Sequence, residues 1–220
     1  IINKFEFNTW IMNTTRAPRL EELYSDGPHL GTYSYEIGAP NLELEKIYGI
    51  ESSFLYDFNP FNISLTTFYN YSPYYHQMNQ MGECDLSNWD GVGTHPCGGD
   101  LNENDDGEEF IEFGSGQGWL YKYKTVGVEA LIKGLEFNLN YSYHNFNISY
   151  DFSLVRGYDL INELPLSYIN PDKQILILEY KKESMNYKFR FSNIHSQNRI
   201  GEFESYTPSS FLVDFIIGYN

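Results

Sequence analysis

The chain has 220 residues, with 30 Asp and Glu against 14 Lys and Arg, so its net charge at pH 7 is -16. Because binding to nucleic-acid phosphates needs clustered cations, this balance excludes nucleic acid and favours cations or cationic groups as ligands. Aromatic residues make up 18% of the chain, yet no run of about eighteen apolar residues occurs, so no transmembrane helix is predicted.

The first two predicted strands cover residues 4–14 and 46–58, where apolar side chains alternate with small or polar ones. The connection between them, Arg16 to Glu45, contains three prolines and three glycines and has no sustained period. A connection of about thirty residues is long for a compact domain, so we interpret it as a functional loop.

A tight turn at Asp57–Pro60 leads into the third predicted strand, residues 61–73. A second long excursion then runs from about Ser72 to Gly118 and contains no Lys or Arg. Its composition predicts a solvated loop. The Gly-rich stretch 114–118 within it lacks the Lys of a phosphate-binding loop and is interpreted as a hinge.

Residues 119–143 form a long extended segment with a regular alternation near its end, and Gly134 within it is predicted to mark a bulge or a bend. A short turn at His144-Asn145 returns the chain into a strand from Phe146. The remaining predicted elements are a loop at 158–171, a strand at 173–182, a turn at 183–186, a strand at 187–196, a loop at 198–208 and a strand at 209–219.

These roughly eight strands have connections that alternate in length. Short connections follow residues 57, 143 and 183, and long ones follow residues 14, 72, 158 and 197. Short turns at one end and long loops at the other are typical of outer-membrane barrels, whereas a soluble sandwich has no reason for this arrangement.

The alternation places rings on one side of each strand and Asn, Ser, Asp and Glu on the other. We expect the rings to contact lipid and the polar side chains to face water. So polar an inner face cannot fill a small barrel. The predicted fold class is therefore all-β, an antiparallel transmembrane β-barrel segment that belongs to a larger barrel.

Two phrases at the ends of the first excursion resemble the TonB-dependent receptors of Gram-negative outer membranes. In that family a rising strand ends in RAPS-x-x-EL, and the next strand opens with GNP-x-L-x-x-E. The matching residues here are Arg16-Ala17-Pro18, Glu22-Leu23, Gly38-Ala39-Pro40-Asn41-Leu42 and Glu45, with Ala39 in place of the usual Asn. The family's late loop and descending strand resemble Gln197 to Phe203, Thr207-Pro208, Leu212-Val213-Asp214 and Gly218-Tyr219.

The resemblance implies a barrel of the type with about 22 strands, in which residues 1–220 form a C-terminal part. It implies that a plug domain, a TonB box and the last strands lie outside this sequence. It also implies a multi-pass protein of the outer membrane. Its partners would be the TonB complex, outer-membrane lipid and a small-molecule or metal-chelate ligand. The expected function is import of a scarce nutrient such as a ferric siderophore, so the chain is not predicted to be an enzyme or to require a cofactor.

Four alternatives remain open at this stage. The phrase ELYSDGPHLGTYSYEIG, residues 22–38, is similar to family members linked to zinc uptake and also to members of unassigned substrate. A porin or adhesin barrel would share the strand pattern but would have no plug. A calcium-dependent carbohydrate-binding β-sandwich would use loop aromatics. An outer-membrane hydrolase would need a catalytic set, and no G-x-S-x-G phrase or other convincing catalytic residues occur.

Three histidines, His29, His76 and His95, are predicted to lie on external loops beside carboxylates. There they could bind zinc or another borderline cation, although a solvated imidazole is the plain alternative. Trp89, deep in the second excursion, is the aromatic candidate for stacking on a ligand.

Four other aromatic residues could also stack on a ligand but fit better the girdle that Tyr and Trp form at a membrane–water interface. They are Tyr71, Tyr74, Tyr75 and Trp119.

The second excursion holds oxygen side chains at alternate positions ahead of a glycine, a spacing that turns several oxygens toward Ca²⁺ in a tight loop. Loop 100–112 is therefore a candidate calcium site, with a solvated acidic loop as the alternative. The position expected for the closing Glu is Phe113. The candidate ligands are Asp100, Asn102, Asn104 and Asp106.

The two cysteines, Cys84 and Cys97, lie in the same excursion. Two isolated cysteines without a C-x-x-C motif are weak evidence for zinc. Because an external loop is oxidising, a disulfide that closes the base of the loop is favoured over two metal thiolates.

Overall fold

The computed structural model describes residues 4–29, 31, 34–81, 98–99, 110–112, 119–201 and 204–219. Within them lie thirteen strands and one short helix. In chain order the elements are β1 (Lys4–Arg16), α1 (Leu20–Tyr24), β2 (Asp26–His29), β3 (Ser34–Ile37), β4 (Glu45–Phe58), β5 (Phe61–Gln80), β6 (Gly98–Gly99), β7 (Phe110–Glu112), β8 (Trp119–Tyr143), β9 (Phe146–Asp159), β10 (Leu164–Pro165), β11 (Lys173–Lys182), β12 (Met185–Ile194) and β13 (Ser210–Tyr219).

Eight of these strands form one continuous order, β1-β4-β5-β8-β9-β11-β12-β13. Neighbours in this order follow one another along the chain once the short strands are left out, which is the arrangement of an up-and-down barrel wall. The pairs β8–β9, β9–β11, β11–β12 and β12–β13 are antiparallel. The predicted all-β class and its roughly eight strands are confirmed. None of the described helical residues forms a helix long and apolar enough to cross a membrane.

The chain divides into two compact units. The first contains Ile1–Thr14, Ile47–Pro73 and Glu129–Asn220, and it holds the four strands β9, β11, β12 and β13 with their hairpins. The second contains Thr15–Lys46 and Tyr74–Val128. In the second unit, β3 pairs in parallel with β8, and β7 pairs with β8 in the antiparallel sense.

Two hairpins of the first unit close through two-residue turns, one between β8 and β9 at the predicted residues and one between β11 and β12, where the predicted turn 183–186 was two residues longer. The first turn residue has a positive φ in each, 51° at His144 and 52° at Glu183. A residue with a Cβ is strained in this left-handed backbone conformation, which glycine adopts most easily.

Replacing Glu183 by Gly should therefore stabilise the folded barrel by about 0.5–1 kcal/mol, since the left-handed conformation costs roughly 1–2 kcal/mol for other residues and glycine loses more chain entropy. Glu183→Val should instead destabilise it, because a β-branched side chain fits a positive φ poorly. Urea unfolding of the receptor in lipid vesicles measures both changes. A stabilising valine would contradict the turn geometry.

The first unit has two chemically different faces. Residues directly opposite each other on neighbouring strands share a side of the sheet. One side, the ring face, therefore consists of the odd-numbered residues of β8 from 131 to 143, the even-numbered residues of β9 and β11, and the odd-numbered residues of β12 and β13. Phe189 and Phe215 stack on it with centroids 4.5 Å apart, and both remain more than 40% exposed. The opposite side, the amide face, carries mainly Asn, Ser, Asp and Glu on β8 and β9, and it also carries Ile, Leu, Lys and Arg on β11, β12 and β13.

Several strand boundaries differ from the predicted ones, most of them by one or two residues. β5 continues to Gln80, whereas the predicted strand ended at residue 73. β12 begins at Met185 instead of residue 187. The first excursion, predicted to have no regular structure, contains α1, β2 and β3, elements too short to produce a period in the sequence.

Gly134 does not interrupt the pairing of β8 with β9, which keeps one register from Ala130↔Asp159 to Tyr143↔Phe146. The predicted bulge is therefore absent from this pairing. A side chain at Gly134 would overlap the ring of Phe68 and the carbonyl oxygen of Leu154. Glycine is required here because an aromatic ring lies directly against the backbone.

Candidate functional site

The first excursion is held by a cluster of ionic side chains, the excursion clamp, which consists of Arg16, Glu22, Glu45 and His76 in the second unit. Arg16, the last residue of β1, donates from both terminal nitrogens to the Glu22 carboxylate of α1, at 2.9 and 3.1 Å. Its Nη2 also donates to Glu45 Oε2 at 2.9 Å. One guanidinium therefore joins both ends of the excursion.

His76, on β5, completes the clamp from a neighbouring strand, and its side chain is fully buried. Its Nε2 lies 2.9 Å from the carbonyl oxygen of Glu43, which only accepts, so Nε2 carries the proton. Its Nδ1 lies 2.9 Å from Arg16 Nη2, which only donates, so Nδ1 accepts. The backbone N–H of His76 donates to Glu45 Oε2 at 3.1 Å. Both nitrogens of the ring are thus used inside the protein.

Backbone bonds fold the excursion back onto α1 beside the clamp. The N–H of Gly38 donates to the carbonyl of Ser25 at 2.6 Å, and the N–H of Ala39 donates to the carbonyl of Glu22 at 2.9 Å. A Cβ at Gly38 would overlap the backbone of Leu23 and Tyr24, so only glycine permits this approach. The motif residues at the two ends of the excursion are therefore in contact.

Glu22 has two roles, since its carboxylate also accepts the N–H of Arg19 at the start of α1, at 2.7 Å. Burial by itself raises the pKa of the Glu22 carboxyl. The bonds from Arg16 and Arg19 outweigh it and hold the pKa below its ordinary value of 4.5. The folded pKa is depressed, so the contribution of Glu22 to stability is complete above pH 4.5 and is lost as the pH falls through the folded pKa.

We therefore expect the Gly38 and Ala39 amides to lose hydrogen-exchange protection below pH 4.5, after correction for intrinsic rates, because the clamp loses a charge there. Hydrogen exchange from pH 6 to pH 3 measures this. Glu22→Gln has no carboxyl at this position and should give a smaller change over the same window. Identical pH profiles for the two proteins would assign the transition to other carboxyl groups.

Next to the clamp in sequence, β2 and β3 form an antiparallel pair with Asp26 opposite Ile37 and His29 opposite Ser34. His29 Nδ1 lies 2.9 Å from Glu36 Oε1, and the imidazole is 60% exposed. Tyr35 donates its hydroxyl proton to Asp26 at 2.9 Å. This pair presents an imidazole and two carboxylates to solvent, which is a surface suited to polar or cationic ligand groups.

The amide face of the first unit is a hydrogen-bonded network. Asn138 donates to Asp151, the residue directly opposite on β9, and Ser149 donates to Asn140 at 2.6 Å. On the next strands, the Glu179 carboxylate accepts from Asn147 at 3.2 Å and from Asn186 at 2.9 Å. A hollow of about 200 Å³ on this face is lined mainly by polar side chains of four strands: Ser64, Thr66, Glu136, Asn138, Asp151, Ser153 and Lys173. Such a polar surface is typical of the inner wall of an outer-membrane barrel.

The structure separates the predicted site residues. His29 lies on β2 and remains exposed, whereas His76 lies on β5, so the prediction that His76 belongs to a loop is wrong. The ligand roles of both histidines stay predictions. The other candidates fall outside the described residues, and so does the predicted disulfide; of the predicted calcium loop 100–112, only Phe110–Glu112, which forms β7, is described. These candidates are Cys84, Trp89, His95, Cys97, Asp100, Asn102, Asn104 and Asp106. Among the residues that are described, no group of three or more His, Cys, Asp or Glu is arranged to hold a metal ion.

The predicted aromatic girdle has mixed surroundings. Tyr71 donates its hydroxyl to Glu129 at 2.8 Å. Tyr74 lies against Gly127, and its hydroxyl accepts the N–H of Glu43 at 3.3 Å. Their assignment to an interface girdle stays a prediction.

Sequence analysis did not identify the clamp, although three of its members are motif residues. Arg16 and Glu45 are 29 positions apart, and His76 lies 60 positions from Arg16. The available signal was the placement of an arginine and a glutamate at the two ends of one excursion, with a second glutamate inside it.

A family model described as TonB dependent receptor-like, beta-barrel, matches residues 12–220. A comparison with curated proteins found no match.

Solved structures resemble nearly the whole chain. The structure titled "Copper transporter OprC" has a TM-score of 0.71 and 14% identity, and the match covers 98% of this chain and 28% of that one. The siderophore receptor PirA from Acinetobacter baumannii has a TM-score of 0.63 and 16% identity, over 98% and 32%. The FrpB iron transporter from Neisseria meningitidis has a TM-score of 0.59 and 11% identity, over 98% and 30%. These likenesses establish the fold, and the chain spans about a third of each structure or less.

Proposed function

This chain belongs to the TonB-dependent receptor family, and from that premise we propose that it forms barrel wall and external loops of a receptor that imports a metal chelate. Receptors of this family lie in the outer membrane. The proposed ligand class is a ferric-siderophore-like chelate. The plug domain and the TonB box would be supplied by other parts of the receptor, and energy would come from the TonB complex.

The observation that carries this proposal is the division of the first unit into a ring face and a hydrogen-bonded amide face. The exposed Phe and Leu side chains on the ring face are apolar, and their contact with water is unfavourable. Lipid is therefore the suitable environment for this face. The amide face offers donors and acceptors to a hydrated ligand along the sheet. A nutrient too large for open porins would pass along a polar wall of this kind.

The excursion clamp supports a role for residues 16–45 in ligand capture. Because Arg16 joins both ends of the excursion, the β2–β3 pair is held as an ordered element. Ordered loops bind with a smaller entropic cost than loops that must become ordered on binding. The acidic excursion, residues 83–112, would add to capture by raising the local concentration of cations.

Growth of a receptor-deletion strain tests the proposal directly. The strain, complemented with the complete receptor, is supplied with ferric siderophores, zinc salts or vitamin B12 as the limiting nutrient. We expect growth to be restored by one chelate and to be lost again when the tonB gene is deleted. Uptake that does not need TonB would favour the porin alternative, and growth restored by zinc alone would favour the free-metal alternative.

A further inference from the structure

The ring face of the first unit changes from apolar to polar toward one end of four adjacent strands, and on two of them, β8 and β9, the new residue is a cation. On β9 the ring-face residues from Phe146 to Leu154 are all apolar or aromatic, and the next one is Arg156. This run of nine residues matches the roughly 9–11 residues with which a strand crosses a bilayer. On β8 the corresponding change occurs from Leu135 to Lys133, and on β11 and β12 the apolar run gives way to Gln174 and Asn193.

At this boundary two cations lie directly opposite each other, since Lys133 pairs with Arg156 across β8 and β9. Like charges in directly opposite positions destabilise a sheet. A third cation joins them, because Arg199 donates from Nη2 to the hydroxyl of Tyr158 at 2.7 Å. The Lys133 ammonium lies 5.5 Å and the Arg199 guanidinium 5.4 Å from the centroid of the Tyr158 ring.

One carboxylate partly balances these cations. Asp172 accepts two bonds from Arg156, at 2.5 and 2.7 Å. Glu129, also on the ring-face side of β8, accepts the Tyr71 hydroxyl. Among the described residues, neither Lys133 nor Arg199 forms an ion pair within 4.0 Å. Arg156 is therefore ion-paired with Asp172, whereas Lys133 and Arg199 are two cations without an ion pair in the described part of a chain whose net charge is -16.

A groove of about 410 Å³ has Lys133 and Arg156 among its lining residues, whereas Arg199 lies outside its lining. Most of the other residues that line it are apolar, among them Ile50, Tyr69, Leu135 and Leu154. An apolar groove that is bordered by cations matches a molecule with acyl chains and an anionic head.

We propose that this cationic groove binds a phosphate-bearing lipid of the outer leaflet, with the phosphate between Lys133, Arg156 and Arg199 and an acyl chain along the groove. The phosphate offsets the repulsion between Lys133 and Arg156. The long connections 160–172 and 195–209 follow this boundary, so the groove lies at the loop end of the strands. This proposal rests on the outer-membrane location given above and not on the identity of the transported ligand.

Native mass spectrometry of the complete, delipidated receptor in detergent tests the proposal with bisphosphorylated lipid A and with dephosphorylated lipid A. We expect the first to be retained. Lys133→Gln and Arg199→Gln should each weaken retention about fivefold, and the double variant should weaken it more than about tenfold, because each basic residue near an anionic lipid contributes comparably. Lys133→Arg should retain the lipid.

Lys182→Gln is the matched control, because Lys182 is an exposed cation at the turn end of β11. Each variant is shown to be folded when its band on a denaturing gel migrates differently before and after the sample is heated. Equal retention of dephosphorylated lipid A, no loss in the double variant, or an equal loss in Lys182→Gln would overturn the proposal. Complete displacement by millimolar inorganic phosphate would also overturn it, since the site would then bind a free anion. Growth assays report separately on the transport proposal, so the two can fail independently.

Discussion

Arg16→Met should release the first excursion and destabilise it by about 3 kcal/mol, near the lower end of the cost of breaking a buried ion pair. The physical reason is that two carboxylates, Glu22 and Glu45, lose the single cation between them. The Glu45 side chain is only 7% exposed, so water cannot replace the lost guanidinium there. The lower end of the range applies because Arg16 itself is 35% exposed.

Hydrogen exchange of the Gly38 and Ala39 amides and proteolysis between residues 17 and 44 measure this release. Arg16→Lys should have an intermediate effect, since an ammonium keeps the charge but not the two-pronged bond to Glu22. Arg19→Met is the matched control, because it removes a nearby exposed arginine from the same excursion and should change stability by less than about 0.5 kcal/mol. Equal effects of Arg19→Met and Arg16→Met would show that the clamp does not hold the excursion.

Leu178→Arg should destabilise the barrel in vesicles by about 2–4 kcal/mol, the cost of an arginine on a lipid-facing strand near the bilayer midplane. Leu178 is on the ring face of β11, opposite Ile148, and it is 38% exposed. An exposed leucine in a water-facing sheet would tolerate arginine with little change. The size of the effect therefore reports on the medium that contacts the ring face.

The matched control is Ser149→Arg, which places the same side chain on the amide face at nearly the same level of the sheet. It removes one bond to Asn140 and should cost about 1 kcal/mol. Urea unfolding in vesicles of fixed lipid composition measures both variants. Similar costs for the two would mean that the two faces do not meet different media.

Much of the fold follows from the period-two alternation of side chains. β8 and β11 begin and end at the predicted residues. The second half of β8 alternates regularly, and β11 is an apolar run bounded by Lys at both ends, so both patterns indicate a strand. The end of β5 was missed because the residues after Pro73 no longer alternate. That part of the strand is fixed by long-range bonds, such as the one from the His76 N–H to Glu45.

The site was less predictable than the fold. The motif residues Arg16, Glu22 and Glu45 were identified from their resemblance to a family pattern, but their mutual contacts were not. Local sequence gives no distance between residues on different strands. The pairing of Lys133 with Arg156 likewise depends on the register between β8 and β9, which is fixed by the two-residue turn at His144.

A spin-label scan of β9 tests most directly whether the ring face contacts lipid. Nitroxides are placed one at a time at residues 146 to 154 of the complete receptor in vesicles, with Cys84 and Cys97 replaced by Ser. Even-numbered positions should collide with oxygen, which concentrates in lipid, and odd-numbered positions should collide with a water-soluble nickel complex. Even-numbered labels that neither reagent reaches, or a scan without alternation, would contradict the assignment of this face to the bilayer.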